Sequence, residues 1–403
     1  MKYSPTRKLY YENAYTGEFN ATVISSKLTP DGVIEIITDA TVFFPEAGGQ
    51  SADTGILGNL KVTDVRINND GVITHYCAAP DAPESIPAAG EQVKGSIDWQ
   101  RRHSFMQHHT AEHIFSGLVN SRFGYDNVGF HLSDHICTMD YNGVLSEADV
   151  SELERECSEW IYKNVPVSCY FPAQDELDML AYRCKGELAP PVRIVEIEGV
   201  DVCACCAPHV KSAGEIGILK VLEANAYKGG TRLTIVSGRK ALCDYQNRFR
   251  LLGQCKNLLS SEADVLPERI QGIVDANNNL RHELDKLNEK MLMSDISTIS
   301  RDEENAILFS VSVAAKAMRS TVNTLMEQHR GICGVFSGTD KEGYEFILGS
   351  KNIDMRNVSM MMKKDLTAKC GGSDRMIQGR TGASRDVITK KLKDYTAEST
   401  CSA

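Results

Sequence analysis

Short runs rich in Val, Ile and Thr, separated by turn residues, fill residues 20–100. The segments "ATVISSKL", "GVIEIITDATVFF", "KVTDVRIN" and "GVITHYCA", with "TPDG" and "NNDG" between them, predict short strands that form a small barrel or sandwich. Between two of these strands lies "FFPEAGGQSADTG", residues 43–55. Its Gly48-Gly49 pair lets the backbone bend sharply or lie close against another molecule. A simple turn is the plainer reading of that pair.

Residues 99–122 read as a helix, and strand-like segments follow in "VGFHLSDHICTMDYNG". A second helix is predicted over 146–164, opening with a serine cap and acids in its first turn. "PVRIVEIEGVDVCACC" reads as a buried strand running into a cysteine cluster, and "GEIGILKVLEAN" and "TRLTIVSG" add two more strands. From about 240 to 293 the chain is long, polar and nearly free of glycine and proline. Within it Ile270, Ile273, Asn277, Leu280, Leu284, Leu287 and Met291 recur at steps of three and four, a heptad seam with one polar position. A coiled coil or packing against the chain's own body would both use such a seam. Residues 305–395 return to an α/β pattern: strands at "AILFSVSV", "GICGVFSG" and "YEFILGS", a helix at "NVSMMMKKDLTAK", then a glycine-rich loop "CGGSDRMIQGRTG". The fold class expected is α+β and multidomain.

Composition narrows the setting. At 42% hydrophobic and 24% charged residues over 403 positions, the chain has the core material of an ordinary globular protein. No run approaches eighteen apolar residues, so no membrane span is expected. The start is polar and aromatic, unlike a secretory signal, and the thirteen cysteines are odd in number and irregularly spaced. A cytoplasmic protein with free or metal-binding thiols is therefore expected. The net charge of −10 argues against a broad nucleic-acid surface. Residues 351–395, however, hold eleven Lys/Arg against five Asp/Glu, enough for a modest phosphate-contacting face or simply a solvated one.

The sharpest chemistry lies in "QHHTAEHIFSG", residues 107–117. On a helix, His109 and His113 stand one turn apart on one face and can share a zinc ion, although an exposed histidine-rich face is the plainer reading of one such pair. Some ninety residues on, "DVCACCAPHV" offers Cys205 and His209 at the same spacing, with Cys203 and Cys206 close by. The two pairs together make a tetrahedral set of three nitrogens and one sulfur. Glu112 could orient a water and Thr110 could hydrogen-bond a polar substrate group. H-T-A-E-H also satisfies the inverted zinc-peptidase pattern, in which the glutamate is a general base.

"IDWQRRHSFMQHHTAEHIFSG" together with "CCAPHVKSAGEIGILKV" resembles the editing domain of alanyl-tRNA synthetase, and more closely the free-standing AlaX editing proteins in their long form. The loop holding Gly48 and Gly49 looks like the family's N-terminal barrel motif. "VGFHL", with His131, and "PVRIVEI", with Arg193, lie where the family has comparable strands, and "YKGGTRLTIVSG" resembles the exit of the editing domain. "CGGSDRMIQG", with Gly371, Gly372 and Gly379, is similar to the glycine-rich loop of the DHH-associated domain.

The resemblance implies a translation-protein-like β-barrel over 1–95, an editing domain over 96–238, a helical coiled-coil linker over 239–300 and a DHH-associated domain over 301–403. It implies one Zn2+ on His109, His113, Cys205 and His209, and hydrolysis chiefly of serine, with glycine second, from alanine tRNA. Thr110, Glu112 and Gln50 are the candidates for recognising the serine hydroxyl or the water. Gly48, Gly49, His131, Arg193, Gly371, Gly372 and Gly379 are the candidate substrate-binding residues. A homodimer through 239–300 is the expected assembly. Two departures stand out: no room is left for an aminoacylation domain, so editing without charging is expected, and C-C-A-P-H replaces the synthetase's glycines before the histidine. A zinc peptidase, and a non-catalytic tRNA-binding module with a structural zinc, are the alternatives.

Overall fold

Buried and half-buried residues alternate along Val33–Thr38, with Ile34, Ile36 and Thr38 turned inward. The same period of two recurs through the strands around it, which places one face of each in a shared core. Six of them close a barrel in the order Glu18–Leu28, Val33–Thr38, Ile73–Ala78, Leu60–Ile67, Gly55–Leu57 and Gln92–Ile97. The computed structural model of the protein describes residues 3–78, 86–184 and 191–400. Parts of the expected domains, residues 1–2, 79–85, 185–190 and 401–403, lie outside the described residues.

The chain divides into two units, Met1–Leu252 and Gly253–Ala403. In the first, the barrel is followed by the helix Trp99–Phe123 and a four-stranded antiparallel sheet. The sheet runs Leu219–Tyr227, Gly230–Ser237, Cys137–Tyr141, Asn127–Leu132. The helix Glu147–Lys163 begins at Ser146 with a reciprocal capping box to Asp149 and buries Val150, Leu153, Cys157 and Ile161. These elements share one core with Phe105, Phe115 and Met139, while Trp99 and Cys205 pack against both this core and that of the barrel.

"PVRIVEIEGVDVCACC" is not one strand. Ile194–Ile197 and Asp201–Ala204 pair antiparallel across a tight turn, with Gly199 at φ 73° supplying the left-handed conformation the reversal needs. Val167–Tyr170 completes that sheet.

In the second unit a five-stranded sheet has Ala306–Ser310 parallel to Cys333–Thr339, followed by Gly343–Gly349, Met376–Thr381 and Lys369–Gly372, all antiparallel. One face is covered by the helix Ala315–Gln328, the other by Met355–Asp365 and Arg385–Thr400. The glycine-rich stretch read as a loop is a hairpin, because Gly372 and Gly379 join the cross-strand ladder. The polar region after 240 is two helices, Gly238–Leu259 and Leu266–Thr298. The break follows Ser260, at φ 47°, and Pro267 in the first turn suits a new helix start. Ile270, Ile273, Leu280, Leu284, Leu287 and Met291 are all exposed. Among the described residues no helix is long and apolar enough to cross a membrane.

Candidate metal centre

The helix Trp99–Phe123 starts where Asp98 accepts a hydrogen bond from the Arg101 amide and ends at Gly124, left-handed at φ 68°. Every residue from Ser104 to Val119 is buried. A helix covered all round has no solvated face, so the exposed histidine-rich surface does not exist. His108 points away from its neighbours: its Nδ1 lies 2.7 Å from Ser104 O, its Nε2 accepts from the Ser237 amide, and burial brings its pKa down to about 4.

His109 and His113, with Cys205 and His209, bring their ligand atoms within 4.8 Å of one another. Cys205 Sγ lies 3.5 Å from His109 Nε2 and 3.4 Å from His209 Nε2. A tetrahedral zinc would separate a nitrogen and a sulfur ligand by about 3.6 Å. The three rings are fixed from behind. His109 donates its Nδ1–H to Gln50 Oε1 (2.8 Å), His113 to Asp201 Oδ2 (3.0 Å), and His209 to Thr110 Oγ1 (3.0 Å). The Thr110 hydroxyl gives its own hydrogen to Met106 O, so it can only accept from His209. Each partner is thus an acceptor, which sets one tautomer and leaves three Nε2 lone pairs facing the thiol. The donor set, its spacing and these outer partners fit zinc.

Burial, and then the neighbouring His113, His109 and Arg193, hold His209 well below the ordinary histidine range, in the neutral form a ligand requires. Burial also opposes a charge on His113, but the Asp201 hydrogen bond, Cys203 and Glu112 outweigh it and raise its pKa. Asp201 in turn takes a bidentate pair of bonds from Arg183 at 2.7 and 2.8 Å. The acid behind the His113 ring raises its basicity, as a carboxylate behind a metal-ligating imidazole does.

The glycine loop reaches the centre because arginines anchor it. Arg102, fully buried, pairs with Asp53 and donates to Val42 O, while Asp53 accepts from the Phe44 amide. Arg101 pairs with Asp134 and donates to Ala52 O. Gly49, at φ 79°, passes so close to the strand Asn127–Leu132 that a Cβ there would stand 2.2 Å from Phe130 O. That contact places Gln50 on His109.

The other sequence candidates fall in several places. Glu112 is buried, accepts from Ser116 Oγ and Asn127 Nδ2, and has Oε2 3.8 Å from His113 Nε2. Gly48 and Arg193 line a cavity of about 580 Å³ whose floor includes His109, His113 and Cys205. Arg193 Nη1, however, is turned into the ligand loop, donating to Cys205 O and Ala207 O at 2.9 and 2.8 Å. His131 is exposed and does not line that cavity. Gly371 and Gly372 line a cavity of the second unit with Arg319, Ser373 and Gln378, and Gly379 lines another with Lys369 and Arg380. Cys206 and Cys203 both line the main cavity, and Cys203 is buried beside His113 and Asp201.

Asp201, Arg183, Asp53 and Arg102 escaped the sequence reading. Asp201 opens the very segment that carries the second ligand pair, and an acid there was the available signal of a carboxylate behind a metal-bound histidine.

The family model described as "Threonyl and Alanyl tRNA synthetase second additional domain" matches residues 192–234, which include Asp201, Cys205 and His209. The chain is 26% identical over 416 residues to the alanyl-tRNA editing protein AlaX-L of Pyrococcus horikoshii, covering 96% of this chain and 98% of that protein. It is 28% identical over 407 residues to the alanine–tRNA ligase of Pyrococcus abyssi, covering 96% of this chain and 42% of the ligase. The corresponding ligase of Halobacterium salinarum is 30% identical over 368 residues, covering 85% of this chain and 38% of that enzyme. The chain therefore spans about two fifths of those ligases.

Proposed function

We propose that this AlaX-like chain is an aminoacyl-tRNA deacylase that removes serine, and also glycine, from alanine tRNA at a zinc ion held by His109, His113, Cys205 and His209. The observation that carries this reading is the convergence of three oriented imidazoles and a thiol, of which His109, His113 and Cys205 line one cavity. Bound there, zinc supplies a positive charge to polarise the ester and lower the pKa of water.

The chain's own groups do the rest. Glu112 Oε2, beside the ligand cluster, takes a proton from the attacking water. The water oxygen bonds to the ester carbon, the bond from that carbon to the ribose oxygen breaks, and the proton passes from Glu112 to the ribose oxygen. Gln50 spends Oε1 on His109, and its Nε2 has no hydrogen-bond partner among the described residues, so it is the donor available to the serine hydroxyl or the carbonyl. Thr110 acts behind His209. A hydrolytic check of this kind is needed because a synthetase pocket for alanine cannot exclude glycine by size and rejects an added hydroxyl only weakly.

The second unit, read as the DHH-associated domain, would meet the tRNA body through the glycine hairpin and the basic excess of 351–395. The exposed seam of Leu266–Thr298 would pair two chains, and the setting would be the cytoplasm.

The deciding assay measures release of amino acid from Ser-tRNA(Ala), Gly-tRNA(Ala) and Ala-tRNA(Ala), with peptides alongside and zinc measured in the same sample. A serine preference over alanine of tens- to hundreds-fold is expected, since an unpaired buried polar group costs about 1–3 kcal/mol. A Cys205→Ala, His209→Ala double variant should lose both zinc and deacylation. Peptide cleavage without deacylation would make the chain a peptidase, and zinc without either activity would leave a structural site.

A further inference from the structure

The cavity above the ligand cluster, about 580 Å³, is the size that accommodates a whole drug-sized ligand, more than one esterified amino acid fills. Its lining also includes Lys8, Tyr11, Phe171 and Val192. Phe171 lies in the short link between the strand Val167–Tyr170 and the helix Gln174–Met179, and its side chain is 45% exposed. It is not free to wander. Its ring meets that of Tyr11 edge-on at 5.4 Å, and Tyr11 is itself covered by the Arg193 guanidinium at 5.1 Å and the Lys8 ammonium at 5.7 Å.

A single exposed phenylalanine is ordinary. What separates this one is its company: one cavity is lined by three candidate metal ligands, by this apolar ring held by Tyr11, and by a cation that sits on Tyr11. An aminoacyl-tRNA end has the matching parts, because the ester sits on a ribose that bears an adenine and is joined to a phosphate. Resting on the deacylase reading, we propose that Phe171 is the platform on which the 3′-terminal adenine stacks and that Lys8 meets the phosphate preceding it. Tyr11 is the anchor that holds the platform, its faces being occupied.

The test combines a protein variant with a change of the terminal nucleotide. Phe171→Ala should lower kcat/KM on Ser-tRNA(Ala) about tenfold or more, carried by KM, because base–aromatic stacking has that strength. Phe171→Tyr should restore it, and zinc content should stay as in the wild type. Exchanging the terminal adenosine for cytidine should cost the wild type severalfold and the Phe171→Ala variant much less. Lys8→Ala should weaken binding and reduce the salt slope by about one. Unchanged kcat/KM for Phe171→Ala, or an equal loss on terminal exchange in both proteins, would overturn the platform while leaving the deacylase intact. Should the wild type deacylate nothing, binding of an unacylated CCA trinucleotide still decides: tighter binding to wild type than to Phe171→Ala upholds the platform, and equal binding removes it.

Discussion

Gln50 Oε1 accepts the Nδ1–H of His109 at 2.8 Å across 59 positions of chain, so a loop of the barrel fixes the orientation of an imidazole on the central helix. The metal centre is therefore built jointly by two parts of the first unit. Removing Gln50 tests this directly. Gln50→Leu keeps the bulk and deletes the acceptor, and should weaken zinc binding by about 10- to 100-fold, the usual effect of losing such a partner. Competition against a chelator of known affinity measures it. An unchanged affinity would mean that the helix alone orients His109.

Asp201 joins Arg183 to His113, with its side chain almost fully buried and that of Arg183 largely so. Asp201→Ala strands the Arg183 charge, and should cost about 3 kcal/mol of stability. Urea unfolding at fixed zinc reports it. Asp201→Asn, which still offers an acceptor to Arg183, should cost less. Equal midpoints for wild type and Asp201→Ala would show that the pair adds nothing to the fold.

A pH dependence follows from a residue remote from the metal centre. His75 is buried in the barrel, with Nε2 2.8 Å from Thr41 Oγ1 and Nδ1 3.1 Å from Ile36 O, and burial brings its pKa down to about 4. The unfolded chain protonates this group near pH 6.5, so between 6.5 and 4 it binds more protons than the folded one. Stability present above pH 6.5 is thus lost as pH falls, approaching about 3 kcal/mol at pH 4. His75→Gln should unfold at a temperature that falls less steeply than wild type over that window. Parallel slopes would contradict the assignment.

The seam of Leu266–Thr298 gives a prediction about assembly. Leu280 and Leu284 are 65% and 50% exposed, an unfavourable arrangement for a heptad seam unless another helix covers it. Sedimentation should find a wild-type dimer and a monomeric Leu280→Asp, Leu284→Asp variant. A monomeric wild type would refute the pairing.

Much of this architecture was legible because it depends on local pattern. The strands of the barrel follow from β-branched runs between turns, the helix at 99–122 from its register, and the four donors from two equal spacings, and the structure brings those four together. Three features were not legible. The reversal at Gly199 lies inside an apolar run whose period does not change, so one strand and a hairpin look alike. Arg193 is a substrate-binding candidate by the family resemblance, and its added hold on the carbonyls of Cys205 and Ala207 is a contact that no spacing reveals. Asp201 and Gln50 hold histidines 88 and 59 positions away, and only tertiary packing decides which histidine each one holds.

The separation of the two ligand pairs also has a consequence for synthesis. Cys205 lies 96 residues beyond His109. At about 5–20 residues per second, a ribosome takes roughly 5–20 s to make the interval. For that time the emerging chain carries His109 and His113 without Cys205 and His209, half of the proposed donor set. On the proposed zinc reading, metal uptake should be a late event in the life of the nascent chain, and a chain stalled or cleaved before residue 205 would lack half of the donor set.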